Sequence, residues 1–436
     1  GLWIGVATSC LLHLLFTSGV PLLTTLAPMV LVLLAASPVL PLTINYDESS
    51  RTGDWLPYDY AYNLLMSCDK DGILFTNGDN DTFPLWFLQE AEGIRRDVRI
   101  VNLSLLNTKW YIDQLKHIEP KLRITYTDKE IEAMPHERNP FEKDTPFMLP
   151  TTKLKVVLPG RERHPILKVQ DKMILNIVDA NNWQRPVFLA VTVSEDNRMG
   201  LTPYLSMEGL VYRLNRARVT EGRAPKVDIE RTVYLLDQVY RYTGLGKTTM
   251  HLTETTHKLL ANYSAGYMYI AYTLREPLRA RKAEIESLEK RVDAGDGDPG
   301  ELREQLVAQK ALYEEKVRLV IDKLNECVSL MPWDWRPRTL RHEMLLTHGM
   351  EETAVERARQ ALQIDPDFTD YRKMLAQALE AVGKDDSAKA LYESILDDDD
   401  GEDPWMNYLG LAQSHAQSGN YEQAVATMQR FLESHP

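Results

Sequence analysis

Asp79-Asn80-Asp81 sets two carboxylates either side of an amide, directly after the apolar run Ile73 to Thr76. Hard oxygen donors at that spacing on one turn suit a divalent cation and, through it, a diphosphate. The same residue types cap helices, because Asp, Asn and Thr side chains accept from the free amides of a first turn. Both readings fit Asn77-Gly-Asp-Asn-Asp-Thr82. A second polar cluster, Asn102, Ser104 and Asn107, closes the apolar run Val98 to Leu103, and Trp110 and Tyr111 follow it. Those rings, with Trp86 and Trp183, offer faces on which a sugar could stack or are simply core. The candidate ligand-binding set is Asn77, Asp79, Asn80, Asp81, Asn102, Ser104, Asn107 and Trp110; no metal-ligand set is assigned.

The elements that must position these residues are two β-type runs, each followed by a helix. Phe83 to Ala91 reads as the first helix, and Gly78 lets the turn before it bend. In an open α/β sheet, ligands sit beyond the carboxyl ends of the strands, so neighbouring strands would open both polar turns onto one crevice. Further candidate strands are Leu122 to Tyr126, Leu154 to Leu158, Ile166 to Val169 and Val187 to Val191. Pro159-Gly160-Arg161 reads as a hairpin turn between Leu154 and Val169, Lys172 to Ala180 as a helix, and Asp128 to Pro150 as a long loop anchored by Met134, Phe141 and Phe147. Residues 47–245 are therefore expected to form a mixed α/β, Rossmann-like domain.

Other motifs carry less. Gly244-Leu-Gly-Lys-Thr-Thr249 imitates a phosphate loop, but position 241 is Arg where the first glycine belongs, and a helix-like run precedes it. His251 and His257 are six apart, which is not a zinc-ligand spacing on a helix, and read as surface residues. Asp397 to Asp400 with Glu402 and Asp403 reads as a solvated loop rather than a calcium site.

At 436 residues, with 44% hydrophobic content, the chain can bury two or three cores. Its formal charge of -13 argues against nucleic acid, whose phosphates need clustered Lys and Arg. Cys10, Cys68 and Cys327 make neither a disulfide framework nor a zinc site. Residues 1–46 contain no Asp, Glu, Lys or Arg, and hold two apolar runs, Leu2 to Ser18 and Leu22 to Ile44. A bilayer span needs roughly 20 such residues, so 1–46 are expected to be transmembrane helices, the second interrupted by Pro28, Pro38 and Pro41. The flank Asp47, Glu48, Arg51, Asp54 and Asp59, acidic on balance, then points to the periplasmic side of a bacterial inner membrane. Gly1 in place of Met reads as the back part of a longer protein.

From about residue 301 to 436 the chain is helical and periodic. Gly349, Gly383 and Gly419 are spaced by 34 and 36 residues, and Ala354, Ala388 and Ala424 follow each at one offset. This is the tetratricopeptide period: small Ala lets two helices approach and Gly turns the chain between them. Pro332 lies 34 residues before Pro366, which implies an earlier degenerate unit. Residues 246–300 read as a helical connector, and Leu288 to Glu314 as a helical hairpin with Asp293 to Gly300 at its tip. The fold class expected is thus α+β/α and multidomain: transmembrane helices, an α/β domain, and an α-solenoid of repeats.

The stretch Asn77 to Leu115, NGDNDTFPLWFLQEAEGIRRDVRIVNLSLLNTKWYIDQL, closely resembles the post-membrane region of a family of bacterial membrane proteins, long labelled as of unknown function. That family is now placed with GT-C-type glycosyltransferases and is related to an animal transmembrane protein O-mannosyltransferase. The resemblance extends over Val239 to Leu245, VYRYTGL, and the repeat tail. It implies a polytopic parent enzyme that moves a sugar, mannose among the candidates, from a polyprenyl-phosphate donor in the membrane lipid to an extracytoplasmic protein or glycan. The repeats would face the polypeptide acceptor or a partner protein. In such enzymes the catalytic acid lies in an early loop absent here, so this chain would be the non-catalytic portion and its catalytic residues stay unknown. Two alternatives remain: a membrane-anchored repeat scaffold for envelope proteins without catalysis, and a soluble nucleotide-sugar transferase using Asp79 and Asp81.

Overall fold

The computed structural model describes residues 39–50, 52–220, 225–245, 254–397, 404–417 and 420–434, with isolated positions among residues 1–37. The chain divides into two compact units, residues 1–55 with 247–253, and residues 56–246 with 254–436.

In the first unit the continuous described segment is helix α1, Val39–Ser49. Its 11 residues span roughly 16 Å, about half of a hydrocarbon core. It also runs past the apolar stretch and takes in Asp47 and Glu48. Among the described residues no helix is long and apolar enough to cross a membrane, which overturns the expected transmembrane helices within residues 1–46. The inner-membrane, periplasmic location inferred from those spans falls with them. The run Leu2 to Ser18 lies almost wholly outside the described residues.

The second unit opens with α2, Leu56–Met66, then β1, Ile73–Thr76, α3, Asp79–Glu90, and β2, Arg99–Asn102. A short 3-10 turn, Leu105–Asn107, leads into α4, Lys109–His117, and α5, Asp128–Ala133. Then come β3, Glu137–Arg138, β4, Thr145–Met148, β5, Lys155–Leu158, β6, Ile166–Leu167, α6, Val169–Asn181, and β7, Val187–Ala190. The sheet closes with β8, Leu205–Glu208, β9, Val211–Leu214, and β10, Lys226–Val227, and α7, Ile229–Tyr234, follows. The six-stranded sheet runs β10-β8-β9-β7-β1-β2. Its central strands β1 and β7 are buried along their whole length, as strands covered on both faces must be, and both read as unbroken apolar runs apart from Thr76.

β2 is an edge strand, and the Tyr111 hydroxyl stands in for the missing neighbour. It accepts from the Asn102 amide at 2.9 Å and donates to the Ile100 carbonyl at 3.3 Å. Residues 122–126, expected as a strand, carry no strand structure although Leu122 and Ile124 are buried. The expected hairpin at Pro159-Gly160 is also absent. β5 pairs instead with β4, and β6 with β3, so the presumed loop 128–150 supplies both partner strands. Phe147 in that stretch is 42% exposed and anchors nothing.

A polar stripe on α2 fixes the chain leaving the sheet. Asp59 accepts from the Thr243 amide at 2.6 Å, and Ser67 bonds the Tyr240 hydroxyl at 2.6 Å. Between them Asn63, fully buried, donates to the Arg241 carbonyl at 2.8 Å and to the Tyr263 hydroxyl at 2.7 Å, and accepts from the Arg241 amide at 2.8 Å. The Tyr240 hydroxyl also takes the Leu210 amide at 2.8 Å, in the β8-β9 turn. Gly209 makes that contact possible: its φ is +61°, and a Cβ there would lie 2.1 Å from the Tyr240 oxygen.

Two long helices follow, α8, Glu254–Ala294, and α9, Pro299–Leu330, packed as a hairpin. Helix pairs come next: α10, Arg336–Thr347, with α11, Glu351–Ile364; α12, Thr369–Ala381, with α13, Asp385–Asp397; and α14, Pro404–Gln417, with α15, Tyr421–Ser434. Gly349 and Gly383 adopt φ of +76° and +72° in the turns, a left-handed geometry that costs other residues energy. Ala354, Ala358, Ala376, Ala378 and Ala388 are fully buried where helices meet.

Because Asn63 serves three backbone and side-chain partners in a dry site, Asn63→Ala strands all of them. It is expected to lower unfolding free energy by about 2–4 kcal/mol, read as a drop in the denaturant midpoint; an unchanged midpoint would remove the seam from the account.

Candidate functional site

β7, β1 and β2 are parallel, so their carboxyl ends lie together at one rim of the sheet. The chain leaves β1 through α3 to β2 on one side and later enters β7 on the other. β1 is therefore a topological switch point, where open α/β sheets leave a crevice. Asn77 to Asp81 occupies that point, and Thr192 arrives from the end of β7.

Much of the candidate set is occupied in holding this rim together. Asn102 donates to Thr82 Oγ1 at 2.8 Å and accepts from the Leu105 amide at 2.9 Å. Thr82 Oγ1 in turn meets Thr76 Oγ1 at 2.7 Å and donates to the Gly78 carbonyl at 2.7 Å. Ser104 donates to the Asn77 carbonyl at 2.9 Å. Asn107 and Gln170 exchange bonds of 2.8 and 3.1 Å. Gln170 then donates to Asn197 at 3.0 Å, and Asn197 to the Asn77 side chain at 3.0 Å. Side-chain amides bonded in series hold one arrangement because each has its donors and acceptors used.

In front of this lattice is a cleft of about 320 Å³ whose walls include Asp79, Asn80, Asp81, Thr192, Lys258 and Asn262. Asn77 and Gly78 complete its floor. Asp79 and Asn80 are exposed, and Asp81 is 5% exposed. The Thr192 hydroxyl donates to Asp81 Oδ2 at 2.5 Å, and the Asn77 amide approaches the same oxygen at 3.4 Å. Burial holds the Asp81 carboxyl above the usual Asp range, with those two donors acting against it. Asn262, on α8, also donates to the Tyr60 hydroxyl at 3.1 Å, so the helical wall of the cleft is tied to α2.

The structure thus brings Asn77, Asp79, Asn80 and Asp81 to one cleft and sets Asn102, Ser104 and Asn107 behind it as support. Trp110 lies apart, in a groove along the β2 edge with Trp86 and Tyr111. Thr192 was missed although it ends the strand run Val187 to Val191, the same signal that marked Asn77 and Ser104. Lys258 and Asn262 had no local signal, since they come from a helix far along the chain. For a cation clamp, one Asp81 oxygen is already taken by Thr192. Among the described residues the cluster at metal-ligand spacing is elsewhere: Asp113, His117 and Asp128, all exposed, with the Lys116 ammonium 2.6 Å from Asp128. The phosphate-loop imitation and His251 fall largely outside the described residues, as do Asp398 to Asp403.

Two regions of the chain match known families. Residues 57–137 and 142–231 match the family described as TMEM260-associated domain 2. Residues 345–407 and 407–436 match tetratricopeptide repeats, and the C-terminal region is made of such repeats. Solved structures that resemble the chain include the MamA protein, with 17% identity, a TM-score of 0.24, and coverage of 38% of this chain and 88% of that one. Another is YrrB, described as a tetratricopeptide protein with an unusual peptide-binding site, with 13% identity, a TM-score of 0.24, and coverage of 39% and 86%.

A carboxyl whose folded pKa lies above its unfolded value destabilises the fold once ionised, so the penalty is present at neutral pH and disappears on acidification toward the unfolded value. Asp81→Asn keeps an acceptor for Thr192 without the charge. It is expected to melt higher than the parent at pH 7, with the difference shrinking as pH falls toward 4; a variant that melts lower at pH 7 would show that the ionised carboxylate is needed.

Proposed function

We propose that this chain is a protein-interaction module whose repeats bind a polypeptide and whose α/β domain holds them at a fixed attachment. The observation that carries this is the continuity of the first helices of the repeats: α10 packs on α12 and α12 on α14. Positions one repeat apart fall into rows on that wall. Thr339 and Lys373 form one, and Glu343 and Gln377 another, each 34 residues apart and none of them buried. Stacked repeats use such extended faces to bind extended chains.

A second reading is favoured by the match over 57–137 and 142–231 and by the resemblance of Asn77 to Leu115. There the module is the non-catalytic part of a sugar-transferring enzyme, presenting a polypeptide acceptor to chemistry housed elsewhere, with a polyprenyl-phosphate sugar as that enzyme's donor. In both readings the α/β domain passes through the long hairpin α8–α9 to the repeats, whose helix pairs begin at α10. The readings part on one measurement: whether adding this chain to a reconstituted transferase raises sugar transfer to a protein acceptor.

A photo-crosslinking residue at Gln377, on the row, should yield a polypeptide adduct in the native host, whereas one at Glu356, exposed on α11, should not. Adducts from both positions alike, or from neither, would sink the repeat-wall reading.

A further inference from the structure

The groove that holds Trp110 belongs to neither the cleft at the switch point nor the repeats. It measures about 540 Å³ and runs between α3 and α4 along the β2 edge. Its rings form a continuous series, Trp86 to Tyr111 at 6.4 Å and Trp110 to Tyr111 at 5.6 Å between centroids, and Phe83, outside the lining, adjoins Trp86 at 5.8 Å. Trp110 is 58% exposed, a large ring on a face that ordinary solvated surfaces keep polar. Strand addition at the edge would have to displace Tyr111, which serves the outward Asn102 amide and Ile100 carbonyl of β2.

Two guanidinium groups line the same groove, and neither forms an ion pair with a described carboxylate. Arg96 donates to the Gln89 and Glu90 carbonyls at 2.7 and 3.0 Å, at the end of α3. Arg99 donates through one terminal nitrogen to the Gln114 carbonyl at 3.1 Å, while its Nε is buried without a partner. Burial lowers the Arg99 pKa, which records a cation held in a poorly solvated place. Of the two acids at the rim, Glu119 is engaged by Lys121, at 3.7 Å and through the Lys121 amide at 3.2 Å. Glu119 and Glu90 both act on Arg99 through space, but neither pairs with it. A poorly solvated guanidinium bonded through one terminal nitrogen to a single carbonyl keeps terminal donors to spare, and a carboxylate is the group that takes them best.

We propose that this groove is a second polypeptide site, for an extended segment in which an aromatic or proline side chain lies next to an Asp or Glu. The ring of the segment rests on Trp86 and Trp110, and its carboxylate meets Arg99. Because the site is on the α/β sheet and away from the repeats, it is tested independently of them.

The test pans a random peptide display library against the full chain, with Arg99→Gln and Trp110→Ala as comparisons, and measures the selected peptides by titration. The expected peptides pair an acidic residue with Phe, Tyr, Trp or Pro. Their affinity should fall roughly tenfold with Arg99→Gln or with Trp110→Ala, fall as far when the peptide acid becomes Lys, and persist with Trp110→Phe. Trp110 is exposed, so its substitution leaves the fold intact, and matching melting curves verify this. The proposal is overturned if the chain selects nothing that the two variants do not, if selected peptides show no acidic preference, or if the groove takes a neutral oligosaccharide in a Trp110-dependent way and no peptide.

Discussion

The structure turns on the polar stripe of α2. Asp59, Asn63 and Ser67 recur at four-residue intervals, so they lie on one face of a helix, and each holds part of the segment 240–243 that leaves the sheet. Asn63 and Tyr60 reach further, to Tyr263 and Asn262 on α8. One helix therefore joins the sheet to the long hairpin on which the repeats are stacked. A second tie repeats the idea with charge: Lys323 on α9 contacts Asp237 and Glu326, and Glu326 takes the Tyr267 hydroxyl at 3.1 Å. Buried polar groups of this kind are costly unless all are satisfied, so they favour one docking geometry over sliding apolar contacts.

How far the sequence foretold this depended on whether the decisive contacts were local. β1, β2 and β7 were legible because central strands must be apolar on both faces. The repeat pairs were legible because their glycines and alanines recur at a fixed period. β8 and β9 were not, since Glu208 and Arg213 disguise them; in the fold Glu208 is 3% exposed and pairs with Arg213 at 2.6 Å. Residues 122–126 misled in the opposite sense. Leu122 and Ile124 alternate with polar neighbours and are buried, yet burial of alternate residues does not require a ladder partner, and the nearby sheet edge is closed by Tyr111. Among the described residues of the uncharged stretch, composition suggests a helix of membrane length, whereas α1 is 11 residues long and crosses into the acidic flank.

The candidate site shows the same division. Asn77, Asp79, Asn80 and Asp81 were found because strand, turn and helix follow one another in sequence. What distinguishes their roles, the pairing of Asp81 with Thr192 and the support from Asn102, Asn107, Gln170 and Asn197, comes from separate elements that only the sheet order brings together. A polar cluster in sequence thus resolved into two layers. The rear layer has its hydrogen bonds filled by protein, and the front layer, Asp79 and Asn80, is open to solvent.

This layering also explains why Trp110 fits elsewhere. Lys109 begins a helix whose third residue, Tyr111, must be buried to close the β2 edge, and Tyr111 is 2% exposed. With Tyr111 turned inward, the adjacent Trp110 is carried outward on the same turn, since neighbours on a helix do not share a face. Edge protection therefore places a large ring on the surface beside Arg99, whose own strand is that edge. The groove is a geometric consequence of how the sheet ends, and its chemistry is set by residues the strand and its guard had already positioned.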